Sequence, residues 1–496
     1  MEELNTTDKR PFFMKKNRTY LLCICAICLV LQFAGTRLMA QTDSSRQLSL
    51  KECLDLAFAN NLDLKQSELL AATAGIDYRQ ARQNMLPQVN GIVEHGSNQG
   101  RSIDPFTNSY LNQKIDYANY GLNAGIVLFN GLSTQHAISQ QRLALAAGKE
   151  EIQQAKDNLS LNLMNAYLLV LSTADLLEQI RLQAVLSRKQ VERLEILHKE
   201  GAVPPAQYFD LKGQLANDEL NMVTTQNQLD AARLTLCQWM NIPYDPALQL
   251  EPIRPEDFLQ AYEGDAAAIY QTAINQLAAV KAAKLRTESA EKGIKAWRSQ
   301  LWPTLSLNGG LYTNYSSAAR TALFLRTVET PTGDYVQING TQNPVLSMRD
   351  QFDMQKITYG DQFKNNYGTN INLALRIPLL NSMQTRNRID RAKIQLKNAD
   401  LVEKNTRIRL QQQVEQAHLN MNATYNRYKT LLQQVEAFQE SFRTAEARFT
   451  EGVLNSVEYL TAKNNLDRAN INLIIAKYEY VFRTRVLDFY QGKSIW

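Results

Sequence analysis

The chain has 496 residues, a formal charge of +5, 44% hydrophobic residues, and only 21 Gly and 13 Pro. Such a composition suits one large helical domain or several, and its interspersed charges leave no basic block of the kind that holds nucleic acid. Residues 1–40 carry six Lys/Arg against three Asp/Glu, so their removal leaves a mature chain of about +2.

Lys15, Lys16 and Arg18 precede an apolar stretch at 20–35, and Leu38-Met39-Ala40 puts a small residue before Gln41. Charged start, short apolar stretch and small residue predict an export signal cut after residue 40. Cys23, Cys25 and Cys28 fall inside it without the pattern that acylation requires. Cys53 and Cys237 remain, and the plain reading is two buried thiols, although an oxidising periplasm permits a disulfide. After the signal no run reads as a transmembrane helix. That leaves the periplasm, the outer membrane or the exterior, and a membrane barrel gives a much weaker signal per strand.

The mature sequence is duplicated. At an offset of 251, Asn130 meets Asn381, Thr134 meets Thr385, Leu159 meets Leu410, Gly201 meets Gly452, Tyr208 meets Tyr459 and Lys212 meets Lys463, without a gap. An earlier stretch matches at 216, pairing Lys65 with Lys281 and Pro87 with Pro303. Two copies of one rigid unit are implied, the second carrying an insertion of 35 residues between Pro303 and Asn381.

Within each copy a helical segment (about 63–86, then 277–301) ends at Pro87 or Pro303, where a helix cannot easily continue. Alternating strands follow at about 88–98 and 118–129, then about 304–316 and 367–380. Tyr120, Leu122, Ala124, Ile126 and Leu128 share one face, opposite Asn119, Gly121, Asn123 and Gly125; Ile371, Leu373 and Leu375 oppose Asn370, Asn372 and Arg376. That period of two suits a lipid-facing barrel strand or a half-buried sheet. From Asn130 and Asn381 a Pro-free helix of about 68 residues runs on, roughly 100 Å long. Its apolar residues keep three–four spacing, as at Tyr425, Tyr428, Leu432, Val435 and Phe438, which marks a coiled-coil-like seam. Gly201 and Gly452 end these helices, and a shorter helix returns. The domain plan is therefore 1–40 signal, 41–241 first repeat with its helical hairpin at about 132–240, 242–265 Pro-rich linker, and 266–496 second repeat with its hairpin at about 383–490. The insertion at about 317–366 reads as an outer loop.

Four strands cannot close a barrel, and open edges are not tolerated in lipid. Three chains would supply twelve strands, so a homotrimer is the simplest closed solution. The fold expected is mainly α with a small transmembrane β portion and an internal two-fold repeat. Its long antiparallel helical hairpins form a tunnel, and its four strands complete a trimeric twelve-stranded barrel.

In this order and duplication the chain resembles the TolC family of outer-membrane efflux proteins. The matching places are Ser49-Leu50 through Asn61-Leu62, Leu86-Pro87, Trp302-Pro303, Leu128-Phe129-Asn130-Gly131, and the Gly201…Tyr208 and Gly452…Tyr459 turns with Ala462 beyond. The resemblance covers essentially the whole mature chain. It implies a passive conduit set in outer-membrane lipid, with a periplasmic tunnel whose tip meets a periplasmic adaptor fed by an inner-membrane pump. The turns at Gly201, Ala202, Val203, Gly452, Val453 and Leu454 would dock the adaptor. Glu458 would ring the aperture, with Asp210 as a second layer. The Arg that helps lock the closed tip in the family is replaced by Leu454, and its Asp partner by Gln207, so that lock does not transfer.

The histidines His95, His136, His198 and His418 have no metal-ligand spacing, and no phosphate loop, dinucleotide fingerprint or nucleophile elbow occurs. Neither an enzyme nor a cofactor is expected. A periplasmic adaptor, with one hairpin and flanking β-domains, and a structural coiled-coil protein of the envelope are the alternative readings.

Overall fold

The computed structural model describes residues 47–103, 108–112, 114–253 and 260–493; the expected export signal lies outside them. Helices α1 (Leu50–Asn60) and α2 (Leu62–Gln83) open the chain. Ser49 and Glu52 form a reciprocal capping box on α1, and Asn61 Oδ1 accepts from Leu64 N–H at 3.0 Å to start α2. Strands β1 (Gln88–Asn98) and β4 (Ile115–Phe129) follow, joined through the short pair β2 (Arg101–Ile103) and β3 (Tyr110–Asn112). Then come α3 (Ser133–Lys199) and α4 (Pro205–Met240).

The second copy repeats this: α5 (Ala266–Gln276), α6 (Ala278–Ser299), β5 (Thr304–Ser316), β8 (Gly368–Arg376), α8 (Gln384–Thr450) and α9 (Ser456–Tyr490). Its elements match the first copy's in length: 11 and 11 residues, 22 and 22, 67 and 67, 36 and 35. The insertion is not a plain loop. It folds into β6 (Arg320–Ile338) and β7 (Thr341–Lys356), a separate hairpin, followed by the short helix α7 (Tyr359–Asn365). Two bulges and the residues Pro331, Gly333 and Pro344 break its alternation, so the sequence there carries no strand pattern.

The four main strands form one antiparallel sheet in the order β1-β4-β5-β8. Below it the helices form a wall. In its upper half α2 packs on α3, α3 on α6 and α6 on α8; in its lower half the neighbours run α4, α3, α9, α8. Entry and return helices thus cover each long helix in turn. Two equatorial cores result, one around Leu159, Leu163, Ala166 and Val170 with Cys53, Leu236 and Tyr478, the other around Leu410, Val414, Ala417 and Met421 with Ile269 and Tyr480. Cys53 and Cys237 stand free and buried in the first of these, and burial pushes the Cys53 thiol up to about 12. One stretch of α3 is apolar enough to cross a membrane by composition, contrary to the expectation of none. It is 61% buried, and its apolarity is spent on this core.

At the strand-to-helix corners the copies share a left-handed bend. Gly131 and Leu132 have φ of 65° and 67°, and Ser382 and Met383 have 53° and 59°. Asn130 Nδ2 donates to Thr134 Oγ1 at 2.8 Å, and Asn381 to Thr385 at 2.6 Å, closing the first turn of each long helix. Gly131 is required for a second reason: a Cβ there would fall 2.6 Å from Trp302 Cβ and 2.7 Å from the Ser299 carbonyl oxygen. Gly131→Val should lower stability by about 1–3 kcal/mol in detergent, while Ser382→Gly should be nearly neutral. Thermal melts of the two variants check this, and equal losses would remove the steric explanation.

Candidate functional site

The helical wall ends at a tip where α3 turns into α4 and α8 into α9. Gly201 and Gly452 both have φ of 72° with open space around them, so backbone conformation alone demands glycine. Ala202 N–H donates to the Leu197 carbonyl at 2.8 Å and Val453 N–H to Arg448 at 2.9 Å, each the long bond of a Schellman cap. The repeat-matched tyrosines close the turns from the return helix. Tyr208 stacks on His198 with ring centroids 5.3 Å apart, and Tyr459 stacks on Phe449 at 4.5 Å. His198 and Phe449 are themselves equivalent positions.

Of the six residues expected to face a partner, Gly201, Ala202, Gly452 and Val453 are exposed, Val453 at 68%. The expectation needs correcting for Leu454, while Val203 is half-buried. Leu454 is only 8% exposed and belongs to a core with Val191, Leu194, Leu211, Phe442, Phe449 and Tyr459, against which Val203 also packs. A single chain cannot see this in sequence, because the core draws on both copies at once.

Glu458, third residue of α9, is exposed. Its N–H donates to Asn455 Oδ1 at 2.9 Å and its carboxylate accepts from Asn455 Nδ2 at 3.1 Å, a reciprocal helix cap. Asp210 accepts from Ser456 Oγ at 2.7 Å, across the two copies. That contact is one of several that tie α9 to the first hairpin. Deeper in the seam, Lys463 is 1% exposed and lies 3.0 Å from Asp218 and 2.7 Å from Asp467. Ser187 and Gln214 donate to the same Asp218 carboxylate. Arg193 donates to the Thr450 carbonyl at the end of α8. Burial raises the Asp467 pKa, opposed by Lys463. Sequence reasoning registered Lys463 only as the match of Lys212. The missed signal is that Asp467, four residues on, replaces Ala216 of the first copy. The first copy cannot form the same clasp, because Ala216 and Ala469 are the repeat equivalents of Asp467 and Asp218.

At the other end, strand register separates two chemistries. Gln88, Asn90, Asn123, Ser306, Asn308, Asn370 and Asn372 share one face and line a groove of about 430 Å³. Glu94 and Arg376 are the charged residues that register places on that face, near opposite ends. Val89, Leu122, Leu307, Leu311, Ile371, Leu373 and Leu375 occupy the other face, the pattern of a barrel wall between water and lipid. At its outer end His95, Tyr120, Tyr315, Tyr359 and Phe363 cluster.

The sequence profile described as outer membrane efflux protein matches residues 53–241 and 269–492. No curated protein sequence matches the chain. Among solved structures, VceC of Vibrio cholerae is similar with a TM-score of 0.71 at 15% identity, covering 90% of this chain and 97% of that one. Campylobacter jejuni CmeC is similar at 0.68 and 14%, covering 90% and 87%. The open state of Neisseria gonorrhoeae MtrE is similar at 0.64 and 14%, covering 89% and 88%. At these identities the likeness is one of fold.

Lys463→Met leaves the Asp218 carboxylate buried without its cation and should weaken the tip by about 3–5 kcal/mol. Asp218→Leu in the same chain should recover most of that loss. Asp467→Asn should be milder, since burial already disfavours its charge. Hydrogen exchange of the first turns of α9 is the measurement, and unchanged protection in Lys463→Met would remove the clasp.

Proposed function

The chain belongs to the outer membrane efflux protein family, and on that premise we propose that three copies close into one continuous duct. The observation that carries the proposal is that a single chain is open at the same two edges on every level. Strands β1 and β8 end the sheet, α2 and α8 end the upper wall, and α4 and α8 end the lower wall. Apolar side chains stay uncovered along those edges, among them Leu69 and Leu70 on α2, Leu220 on α4 and Leu401 on α8. Repeat-matched positions make the same point: Leu168 is 4% exposed where it meets α9, and its equivalent Leu419 is 63% exposed. Pairing β8 of one copy with β1 of the next satisfies all these edges together, and three copies give twelve strands.

In this reading the amide-lined face is the lumen, the Leu/Ile face meets outer-membrane lipid, and the β6–β7 hairpin projects outside the cell. The helical wall becomes a periplasmic tunnel. Its tip meets a periplasmic adaptor bound to an inner-membrane pump, which supplies the energy; the duct itself is passive. Docking falls to the exposed part of the turns, Gly201, Ala202, Gly452 and Val453, with Val203 and Leu454 holding the turns in shape from inside. Glu458, one per chain, stands at the aperture, where three carboxylates around the axis favour cations. Asp210 supports it through Ser456.

Ala202→Asp with Val453→Asp should abolish efflux while trimer yield stays normal; unchanged efflux would count against docking through the turns. Purified protein in a planar bilayer should conduct and be blocked by a multivalent cation from the tip side, and Glu458→Gln should lose the block. Equal block in both proteins would take Glu458 out of the pathway.

A further inference from the structure

We propose that the protein binds anionic phospholipid headgroups of the inner leaflet through a basic collar just beneath the barrel. The proposal rests on the barrel reading above. Four arginines make up the collar. Arg82 and Arg298 are repeat equivalents in the last turns of α2 and α6, each six residues before the first residue of a barrel strand. Arg386 and Arg391 lie in the first turns of α8, after strand β8. With 1.5 Å of rise per helical residue, Arg82, Arg298 and Arg386 fall within roughly 8 Å of the strand-to-helix corners and Arg391 about one turn farther out. A headgroup layer is roughly 5–8 Å deep, and the long arginine side chain reaches it from a backbone lying at or just beyond its edge.

All four side chains are exposed in the single chain, and among the described residues none lies within ion-pair distance of a carboxylate; Arg82 lies over the Tyr78 ring, and Arg386 acts on Asp390, whose direct partner is Lys393. Some arginines farther from the barrel are neutralised within the chain: Arg188 pairs with Glu219, Arg407 with Glu403 and Arg443 with Glu440. Unpaired cations gathered at one level call for an external counter-ion. The corners beside them expose Trp302 and Leu379, side chains suited to the boundary between hydrocarbon and headgroup. A guanidinium fork can hold a phosphate by two parallel hydrogen bonds. Apolar strand face, interfacial anchor and unpaired arginine thus follow one another down the wall, as hydrocarbon, boundary and anionic headgroup do in the leaflet. Each arginine near the surface should raise preference for an anionic lipid roughly fivefold.

The test uses the full chain with Trp302 as the only tryptophan, in vesicles of phosphatidylcholine and phosphatidylglycerol in which one or the other carries brominated acyl chains. Brominated phosphatidylglycerol should quench Trp302 well beyond its mole fraction. The variant Arg82→Gln/Arg298→Gln/Arg386→Gln/Arg391→Gln should reduce that enrichment at least about tenfold. A variant with Lys189, Lys404, Lys429 and Arg443 changed to Gln loses the same charge elsewhere and should keep it. Quenching in proportion to mole fraction in the parent protein, or enrichment that survives in the collar variant, would overturn the proposal alone. Loss of the enrichment on adding inorganic phosphate at constant ionic strength would assign the collar to a soluble anion and overturn the lipid assignment. Quenching by neither lipid would overturn the barrel reading and the proposal with it.

Discussion

Strands β1 and β8 each carry one row of backbone N–H and C=O groups with no strand partner among the described residues of their own chain. In water such a row is merely a liability; in hydrocarbon it costs several kcal/mol for every unsatisfied group. The sheet is four strands wide, too narrow to curl onto itself. Everything below it inherits that condition, because each long helix hangs from the end of a strand and the order of the wall follows the order of the sheet. The exposed leucines of α2, α4 and α8 lie along the same two edges, where the proposed neighbouring copies would cover them.

The duplication explains how so long a wall is built from simple parts. Equivalent helices agree in length to within one residue, so the corners, turns and return points of the two copies come to the same heights. Stacking Tyr208 on His198 and Tyr459 on Phe449 keeps the two turns alike although the partner residue has changed. Where the copies differ, the difference has a consequence. Lys463 meets Asp218 and Asp467 inside the seam between hairpins, whereas its equivalent Lys212 is exposed and lies over the Tyr208 ring. A buried cation with two carboxylates contributes little net stability but is expensive to break open one partner at a time. It fixes the pairing of α4 with α9 more than it strengthens it.

Much of the fold was legible because its signals are local. A three–four seam, a Pro that stops a helix, a Gly at a left-handed cap and a period of two each depend on neighbours a few residues away. Repetition of every signal at a constant offset removed most of the remaining ambiguity. The β6–β7 hairpin escaped for the complementary reason: its signals are interrupted by bulges, and no second copy exists to compare it with. The candidate site was legible only in part. Gly201 and Gly452 stand out through helix-end spacing, whereas Glu458 is picked out by the family resemblance and its cap with Asn455 shows only in the structure.

The sequence by itself determined the two-copy plan, the lengths of the helices, the two chemistries of the strands and the places where the chain turns. Tertiary structure alone decided that Leu454 faces inward, that Val453 faces outward, and that Lys463 finds Asp218 some 245 residues away. The reason is geometric. Burial and charge pairing depend on which side chains come within a few ångströms of one another. In a wall of long helices those neighbours come from the other copy, and no pattern along either one records them.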